Sequence, residues 1–355
     1  MPLTAIAATF AGALVLALVA TPLAVRLGLK LGIADKPGGR RRHSRTTSRL
    51  GAVPLFIAFI GAALLAQTFN VPTLDPQEDT RFSGLLIGSV VIFVAGLLDD
   101  RLELRAGPQF AAQTLAAGIA IAHLVFIERF HNPLIGREQV LTGWPIVALS
   151  LFWYLGMMNT VNFLDGIDGL AATVSLIAAG VTTIHMMREG QYSVALLPIA
   201  LMGALMGFLV FNVQPARIFL GSGAQYLGFT LACLGIIAGA KVALLLLVMG
   251  VPIADVAWQV IDRLRRGKSP FEGDRGHLHL RLADAGWSAR RIVALYAAVC
   301  ITFGGVALLI QPPVLKLITL GVVLAGVVIT LALLSSRAQA FHAPPTSDNT
   351  RQTPP

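Results

Sequence analysis

The segment VNFLDGIDGL, residues 161–170, places Asn162, Asp165 and Asp168 at three-residue intervals in a chain that is otherwise largely apolar. Positions three apart in a helix are neighbours along one side, so these polar side chains are predicted to share a strip. Two carboxylates that close repel each other unless a cation lies between them or one is protonated. Such oxygen ligands favour Mg²⁺ or Mn²⁺, which predicts a divalent-cation site. The alternative is that Asp165 and Asp168 only cap the helix that follows.

Two further polar groups could take part in the same chemistry. Asp99 and Asp100 are adjacent in GLLDDRLELR, and His277 and His279 alternate in FEGDRGHLHLRL. The aspartates could equally be an ordinary polar helix end, and the histidines a solvated basic loop. Alternating histidines also suit zinc, but no cysteine or third nearby histidine completes a tetrahedral set. These residues are candidates because all of them are expected on the cytoplasmic side of the membrane, where cytosolic substrates can reach them.

The elements that must position these residues are membrane helices. The chain is 55% hydrophobic and 13% charged, with a mean hydropathy of +0.75, whereas a soluble domain is roughly 25% charged. A spanning helix needs about 20 apolar residues, which predicts an all-α integral membrane protein. A break at Gly239-Ala240-Lys241 divides a run too long for one helix. We expect about eleven spans: 4–25, 50–67, 83–98, 109–127, 141–158, 169–187, 194–212, 224–240, 241–261, 291–310 and 313–334.

The basic residues predict the orientation of these spans. Residues 26–49 and residues 262–291 each hold eight of the 27 lysines and arginines, and cytoplasmic loops collect positive charge. The amino terminus is therefore expected outside and the carboxyl terminus in the cytoplasm. Topology, anionic lipid headgroups and an anionic substrate account for the net charge of +9 without nucleic acid. Residues 1–336 are interpreted as one membrane domain, and the Pro- and Thr-rich residues 337–355 as a disordered cytoplasmic tail.

Taken in order, DDR, NFLDGIDGL and PFEGDRGHLHLRL resemble motifs of the polyprenyl-phosphate N-acetylhexosamine-1-phosphate transferases. These form glycosyltransferase family 4, which includes the enzyme that makes lipid I in peptidoglycan synthesis. Residues 35–56 are similar to the family's basic first loop, and residues 252–267 to its ninth helix. The likeness is greatest to the branch that transfers GlcNAc-1-phosphate to undecaprenyl phosphate.

This resemblance implies a reaction at the cytoplasmic leaflet of a bacterial plasma membrane. A UDP-N-acetylhexosamine, with UDP-GlcNAc favoured, would give its sugar 1-phosphate to a polyprenyl phosphate, leaving UMP and starting a cell-envelope glycan. The resemblance also implies Mg²⁺, with Mn²⁺ as a substitute, and contacts with membrane lipids. It leaves a homodimer open.

The resemblance assigns roles to the acidic residues one by one. Asp99 would be the base that keeps the lipid phosphate ionised, and Asp100 would support the metal and the phosphates. Asn162 would bind the metal, Asp165 would complete the catalytic cluster, and Asp168 would contact the uridine. Phe219 would stack on uracil. The remaining residues assigned to the substrates are basic or imidazole groups: Arg45, Arg49, Arg275, His277, His279 and Arg281.

Two departures from the family pattern bear on activity. From the position of Phe219 onward, the family usually reads Phe-Leu-Gly-Asp-Ser-Gly, and that Asp is a principal metal ligand. This chain reads FLGSG there, without the Asp. Leu280 stands where many relatives have a third histidine. A non-catalytic or weakly active relative is therefore an alternative. A membrane transporter is a further one, because polar residues within membrane helices also form transport sites.

Overall fold

The computed structural model describes residues 2–36, 46–132, 137–237, 239, 242–267, 276–310, 314–323, 325–326 and 329. Arg45, Arg275 and the predicted tail at 337–355 lie outside these residues. In the described part, the helices are α1 (Leu3–Leu31), α2 (Ala52–Gln67), α3 (Glu78–Leu102), α4 (Ala106–Ala122), α5 (Trp144–Leu164), α6 (Leu170–Arg188), α7 (Tyr192–Asn212), α8 (Gly223–Ile237), α9 (Val242–Val248), α10 (Gly250–Arg265), α11 (Leu278–Asp284) and α12 (Ala289–Leu309). A further short apolar helix covers Val314–Val323.

Four short strands accompany the helices. β1 (Ala34–Asp35) pairs antiparallel with β2 (Thr47–Ser48), and β3 (Arg129–Asn132) pairs antiparallel with β4 (Arg137–Val140). The first pair is the important one for the site. Phe219 donates its backbone amide to the carbonyl oxygen of Ser48 at 2.8 Å, so the ribbon holds the segment that precedes α8.

The helical membrane class is confirmed, whereas the count of eleven spans stays a prediction. Each predicted segment contains a helix, but within the described residues six helices are long and apolar enough to cross a bilayer. The pair α9 and α10 makes a seventh if it is counted as one bent span. The break at 239–241 is confirmed, because α8 ends at Ile237 and α9 begins at Val242.

The prediction of one continuous helix over 241–261 is wrong. α9 and α10 meet at Met249 with an angle of 81° between them. Pro252 explains the break, because its ring has no N–H to donate to the carbonyl of Val248 and would clash with that carbonyl in a continuous helix. The bend turns α10 away from the line of α9.

α8 forms the centre of the fold. All of its residues, Gly223–Ile237, are buried, and it packs against α3 and α5. The approach to α5 is close enough that a Cβ added at Gly228 would lie 2.5 Å from the Cα of Met158. Small residues permit such contact between membrane helices, where packing replaces the hydrophobic effect as the source of association. The amino-terminal end of α8 is therefore fixed in position, and the site is built around it.

Candidate active site

A cavity of about 1350 Å³ lies where the end of α3, the turn between α5 and α6 and the segment before α8 meet. These segments are distant in the chain, and the β1–β2 ribbon forms a further part of the wall. The structure brings together here seven residues predicted from the sequence: Arg49, Asp99, Asp100, Asn162, Asp165, Asp168 and Phe219.

The acidic turn, residues 162–168, does not have the predicted form of one helical strip. α5 ends at Leu164, Asp165 is its C-cap, and α6 begins only at Leu170. Gly169 has φ +77°, a left-handed conformation that favours glycine and ends helical continuity here. Asn162 and Asp168 consequently face the cavity from opposite ends of a turn.

Asp165 lies at the centre of the acidic turn and accepts a hydrogen bond from the backbone amide of Gly221. Its pKa is raised well above that of an ordinary aspartate, first by desolvation and then by the negative charges of Asp100 and Asp168. A group in this state binds a proton or a cation readily. The direction of this shift agrees with the mutual repulsion expected among these carboxylates.

Asp100 is buried and extensively hydrogen-bonded. The backbone amide of Ser222 lies 3.1 and 3.2 Å from its two carboxylate oxygens, and the Ser222 hydroxyl donates at 2.7 Å. Arg49 lies 3.7 Å away. Since a carboxylate offers about four acceptor positions, little of the capacity of Asp100 remains for another ligand.

Asp99 and Asp168 each organise neighbouring backbone. The Oδ1 atom of Asp99 accepts hydrogen bonds from the amide of Leu104 and from Nε2 of Gln109, each at 2.9 Å. Oδ2 of Asp168 accepts from the amide of Ala216 at 3.1 Å, which ties the acidic turn to the segment that carries Phe219. Both side chains line the cavity, so each combines a structural contact with access to a ligand.

The described lining residues have an excess of negative charge. Five aspartates stand against two arginines, Arg49 and Arg217, a formal excess of three negative charges. An anionic substrate would be repelled from such a cavity unless a cation were also bound.

The side-chain atoms that could bind a metal ion in this cavity are oxygens, which suit Mg²⁺. In the part of the chain that the structure describes, no three His, Cys, Asp or Glu side chains form a metal cluster, but Mg²⁺ usually binds only one or two carboxylates plus phosphates. Asn162 and Asp165 therefore fit such an ion.

The histidines lie behind the wall of the cavity. His277 and His279 are 4% and 1% exposed, and among the described residues it is Leu280 and Ala283 of α11 that line the cavity. His277 Nδ1 lies 3.0 Å from Oδ2 of Asp255. Arg281 donates from Nε to the carbonyl oxygen of Gly276 at 2.6 Å. The two histidines therefore support the site from the protein interior, and Arg281 is half-buried beside them.

The sequence reasoning missed several residues of the site. The cavity is also lined by polar side chains that it did not single out: Asp35, Gln109, Arg217, Ser222 and Gln225. Asp35 is the first residue of the segment 35–56 that resembles the family's basic first loop, and Arg217 lies two residues before Phe219, so both positions were a usable signal. Gln109 and Gln225 gave no signal, because single glutamines in apolar helices have no characteristic spacing.

The chain is similar in sequence to several known proteins. The model of the family described as Glycosyl transferase family 4 matches residues 82–239. A probable undecaprenyl-phosphate N-acetylglucosaminyl 1-phosphate transferase of Bacillus subtilis is 28% identical over 295 residues, covering 81% of this chain and 80% of the relative. A decaprenyl-phosphate N-acetylglucosaminephosphotransferase of Mycobacterium tuberculosis is 31% identical over 348 residues, covering 90% and 86%. A phospho-N-acetylmuramoyl-pentapeptide-transferase of Geobacillus kaustophilus is 31% identical over 332 residues, covering 88% and 99%.

Proposed function

The chain belongs to glycosyl transferase family 4, and from that premise we propose that it transfers an N-acetylhexosamine 1-phosphate from a UDP-sugar to a polyprenyl phosphate. The names of its relatives support a polyprenyl phosphate as the acceptor and GlcNAc 1-phosphate as the transferred group. UMP would be the other product. The observation that carries the proposal is the convergence of five aspartates and two arginines on one cavity.

The reaction is a phosphoryl transfer. An oxygen of the polyprenyl phosphate attacks the phosphorus that bears the sugar, the bond from that phosphorus to the bridging oxygen breaks, and UMP departs with the bond's electron pair. In such a transfer the protein contributes mainly positioning and charge stabilisation. Asp99, held by Leu104 and Gln109, would keep the attacking phosphate ionised. Arg49 and Arg217 would face the anionic groups of the two substrates.

The other roles follow the geometry of the cavity. A Mg²⁺ ion bound by Asn162 and Asp165 would supply positive charge to the diphosphate. Asp100 would support that arrangement through its contacts with Ser222 and Arg49. Phe219 and Asp168 share one wall and would hold the uridine. By resemblance alone, Arg45 and Arg275 would reach the donor's diphosphate. His277 and His279 are buried behind the wall of the cavity, so their contact with the substrates stays a prediction, as does that of Arg281.

The membrane arrangement is part of this proposal. The eight basic residues of 26–49 and the eight of 262–291 favour a cytoplasmic cavity, an external amino terminus and eleven crossings. UDP-sugars are cytosolic, so a cytoplasmic cavity suits the donor. The family membership leaves no support for a transporter, and a homodimer stays a prediction.

One observation favours a second candidate function, a relative that binds both substrates without turnover. Gly221 is followed directly by Ser222, where the family pattern has a metal-binding aspartate between them. Asp100, which could compensate, already accepts hydrogen bonds from Ser222. The remaining acidic turn would then bind the substrates with less stabilisation of the transition state.

UMP release by the purified protein from UDP-GlcNAc and a polyprenyl phosphate, with and without Mg²⁺, tests both candidates. A variant with Asp inserted between Gly221 and Ser222 is compared with a matched variant with Ala inserted there. Metal-dependent release by the unmodified chain would establish the transferase. Release only by the Asp insertion, together with binding of UDP-GlcNAc by the unmodified chain, would establish the binding relative. No release and no binding in any form would contradict both.

A further inference from the structure

Asp255 is a buried carboxylate outside the cavity with two defined partners. It lies on α10, is 3% exposed, and is close to the bend at Met249. Its Oδ2 atom is 3.0 Å from Nδ1 of His277, and its Oδ1 atom accepts from the amide of Leu278 at 3.0 Å. A buried carboxylate is costly unless it is paired and hydrogen-bonded. Asp255 thus fixes the start of α11 to α10, and it fixes the Nδ1–H form of His277.

His277 links Asp255 to the acidic turn. Its ring stacks on Phe163 with the ring centres 5.0 Å apart and the planes 27° apart. The guanidinium of Arg263, also on α10, lies 5.8 Å from the centre of the same Phe163 ring. Phe163 therefore contacts both a cation of α10 and an imidazole that α10 orients. It is the residue next to Asn162 and lies two before Asp165.

His279 also contacts the acidic turn. Its ring centre is 5.7 Å from that of His277. A Cβ added at Gly166 would lie 2.7 Å from its Nε2 atom, so the imidazole lies directly against the backbone between Asp165 and Ile167. The alternating histidines thus contact the acidic turn from behind, at two points.

We propose that Asp255 is a positioning residue that acts through His277 and Phe163 to hold the acidic turn in place. The inference rests on the proposed function, because it assigns the acidic turn the charged groups of the transfer. A shift of about 1 Å in such groups can reduce a rate roughly 100-fold. Asp255 would accordingly influence the reaction without touching either substrate.

The test is Asp255→Asn in the wild-type and in a His277→Phe background. Asparagine keeps the shape and one acceptor but loses the charge, and phenylalanine keeps the stack on Phe163 but has no Nδ1–H. Asp262→Asn is the matched control, because Asp262 is on the same helix in a surface pair with Arg266 at 2.8 Å. Melting temperature confirms that each variant is folded. The first readout is kcat and KM for UMP release, and the second is hydrogen exchange of residues 162–169.

We expect D255N to lower kcat by about ten-fold or more with a change in KM below roughly three-fold, and to accelerate exchange in residues 162–169. In the H277F background the same substitution should add less than about two-fold to either effect, because residues that act as one unit are not additive. An equal effect in both backgrounds, or exchange unchanged from that of D262N, would overturn the inference. Absence of UMP release by the wild type would count against the proposed function alone, since the exchange cycle still tests the contact.

Discussion

Ser222 donates both its backbone amide and its hydroxyl to the carboxylate of Asp100, with the hydroxyl contact at 2.7 Å. The two residues are 122 positions apart, so this contact joins the end of α3 to the start of α8. It also uses the acceptor positions of an aspartate that directly contacts the segment where the chain departs from the family pattern. Gly221 permits it, because a Cβ there would lie 2.3 Å from the carbonyl oxygen of Arg49.

Removing the Ser222 hydroxyl is expected to destabilise the fold. Hydrogen bonds to charged groups contribute about 1.5–3 kcal/mol, so Ser222→Ala should lower the free energy of unfolding by about 2 kcal/mol. Ser175→Ala is the matched control, because Ser175 is buried and its hydroxyl has no hydrogen-bond partner among the described residues. Chemical unfolding in detergent measures both. Equal losses in the two variants would contradict the assigned strength of the Asp100 contact.

The positive charge of Arg49 inside the cavity is expected to be needed for binding UDP-GlcNAc. It lies 3.7 Å from Asp100 and 3.3 Å from Glu103. Arg49→Gln should raise KM for UDP-GlcNAc by about ten-fold or more, which corresponds to a loss of roughly 1.4 kcal/mol of binding free energy. Arg49→Lys should retain part of the affinity because it keeps the charge. Glu103→Gln should change KM little, because Glu103 is 75% exposed and exposed ion pairs contribute at most about 1 kcal/mol. Equal effects of R49Q and E103Q would refute a role inside the cavity.

Phe219 is expected to determine affinity for the nucleotide. Base stacking on an aromatic side chain contributes about 1–3 kcal/mol, so Phe219→Leu should raise KM for UDP-GlcNAc by roughly ten-fold and leave KM for the polyprenyl phosphate unchanged. Phe219→Trp should preserve the affinity. Phe152→Leu, on the exposed surface of α5, controls for loss of an aromatic ring. A rise in both KM values would mean that Phe219 shapes the cavity instead of contacting uracil.

His279 is expected to make stability depend on pH. Desolvation lowers its pKa to about 4, and the charge of His277 adds to this while Asp255 opposes it. In the unfolded chain a histidine titrates near 6.5, so between about pH 6.5 and 4 the unfolded state binds more protons. Stability should therefore fall as pH decreases through this window, by on the order of 3 kcal/mol in total.

His279→Gln should remove most of that pH dependence, whatever its effect on stability at neutral pH. His123→Gln is the control, because His123 is the C-cap of α4 and its Nδ1 atom contacts the carbonyl oxygen of Ile119. Melting temperatures between pH 4.5 and 7 give the comparison. An identical slope in the wild type and H279Q would show that other groups cause the acid sensitivity.

The sequence predicted the helical membrane class and most of the helix positions, because hydropathy over 20 residues is a local property. It also predicted the break near Gly239, where α8 ends at Ile237. It failed at the bend between α9 and α10, although Pro252 was a visible signal, because the apolar run continues through it. It also failed in treating residues 162–168 as one helical strip. Polar residues three positions apart can lie in one helix or in a helix end followed by a short turn, and the spacing does not distinguish the two.

By itself, the sequence determined the family and the acidic residues, because motif identity and spacing are written along the chain. Only the tertiary structure decided which of those residues meet. The pairing of Ser222 with Asp100, the contact of Asp168 with Ala216, and the route from Asp255 through His277 to Phe163 all join distant segments. Such contacts depend on how α3, α5, α8 and α10 pack around one another, and packing is a property of the whole bundle that no local pattern specifies.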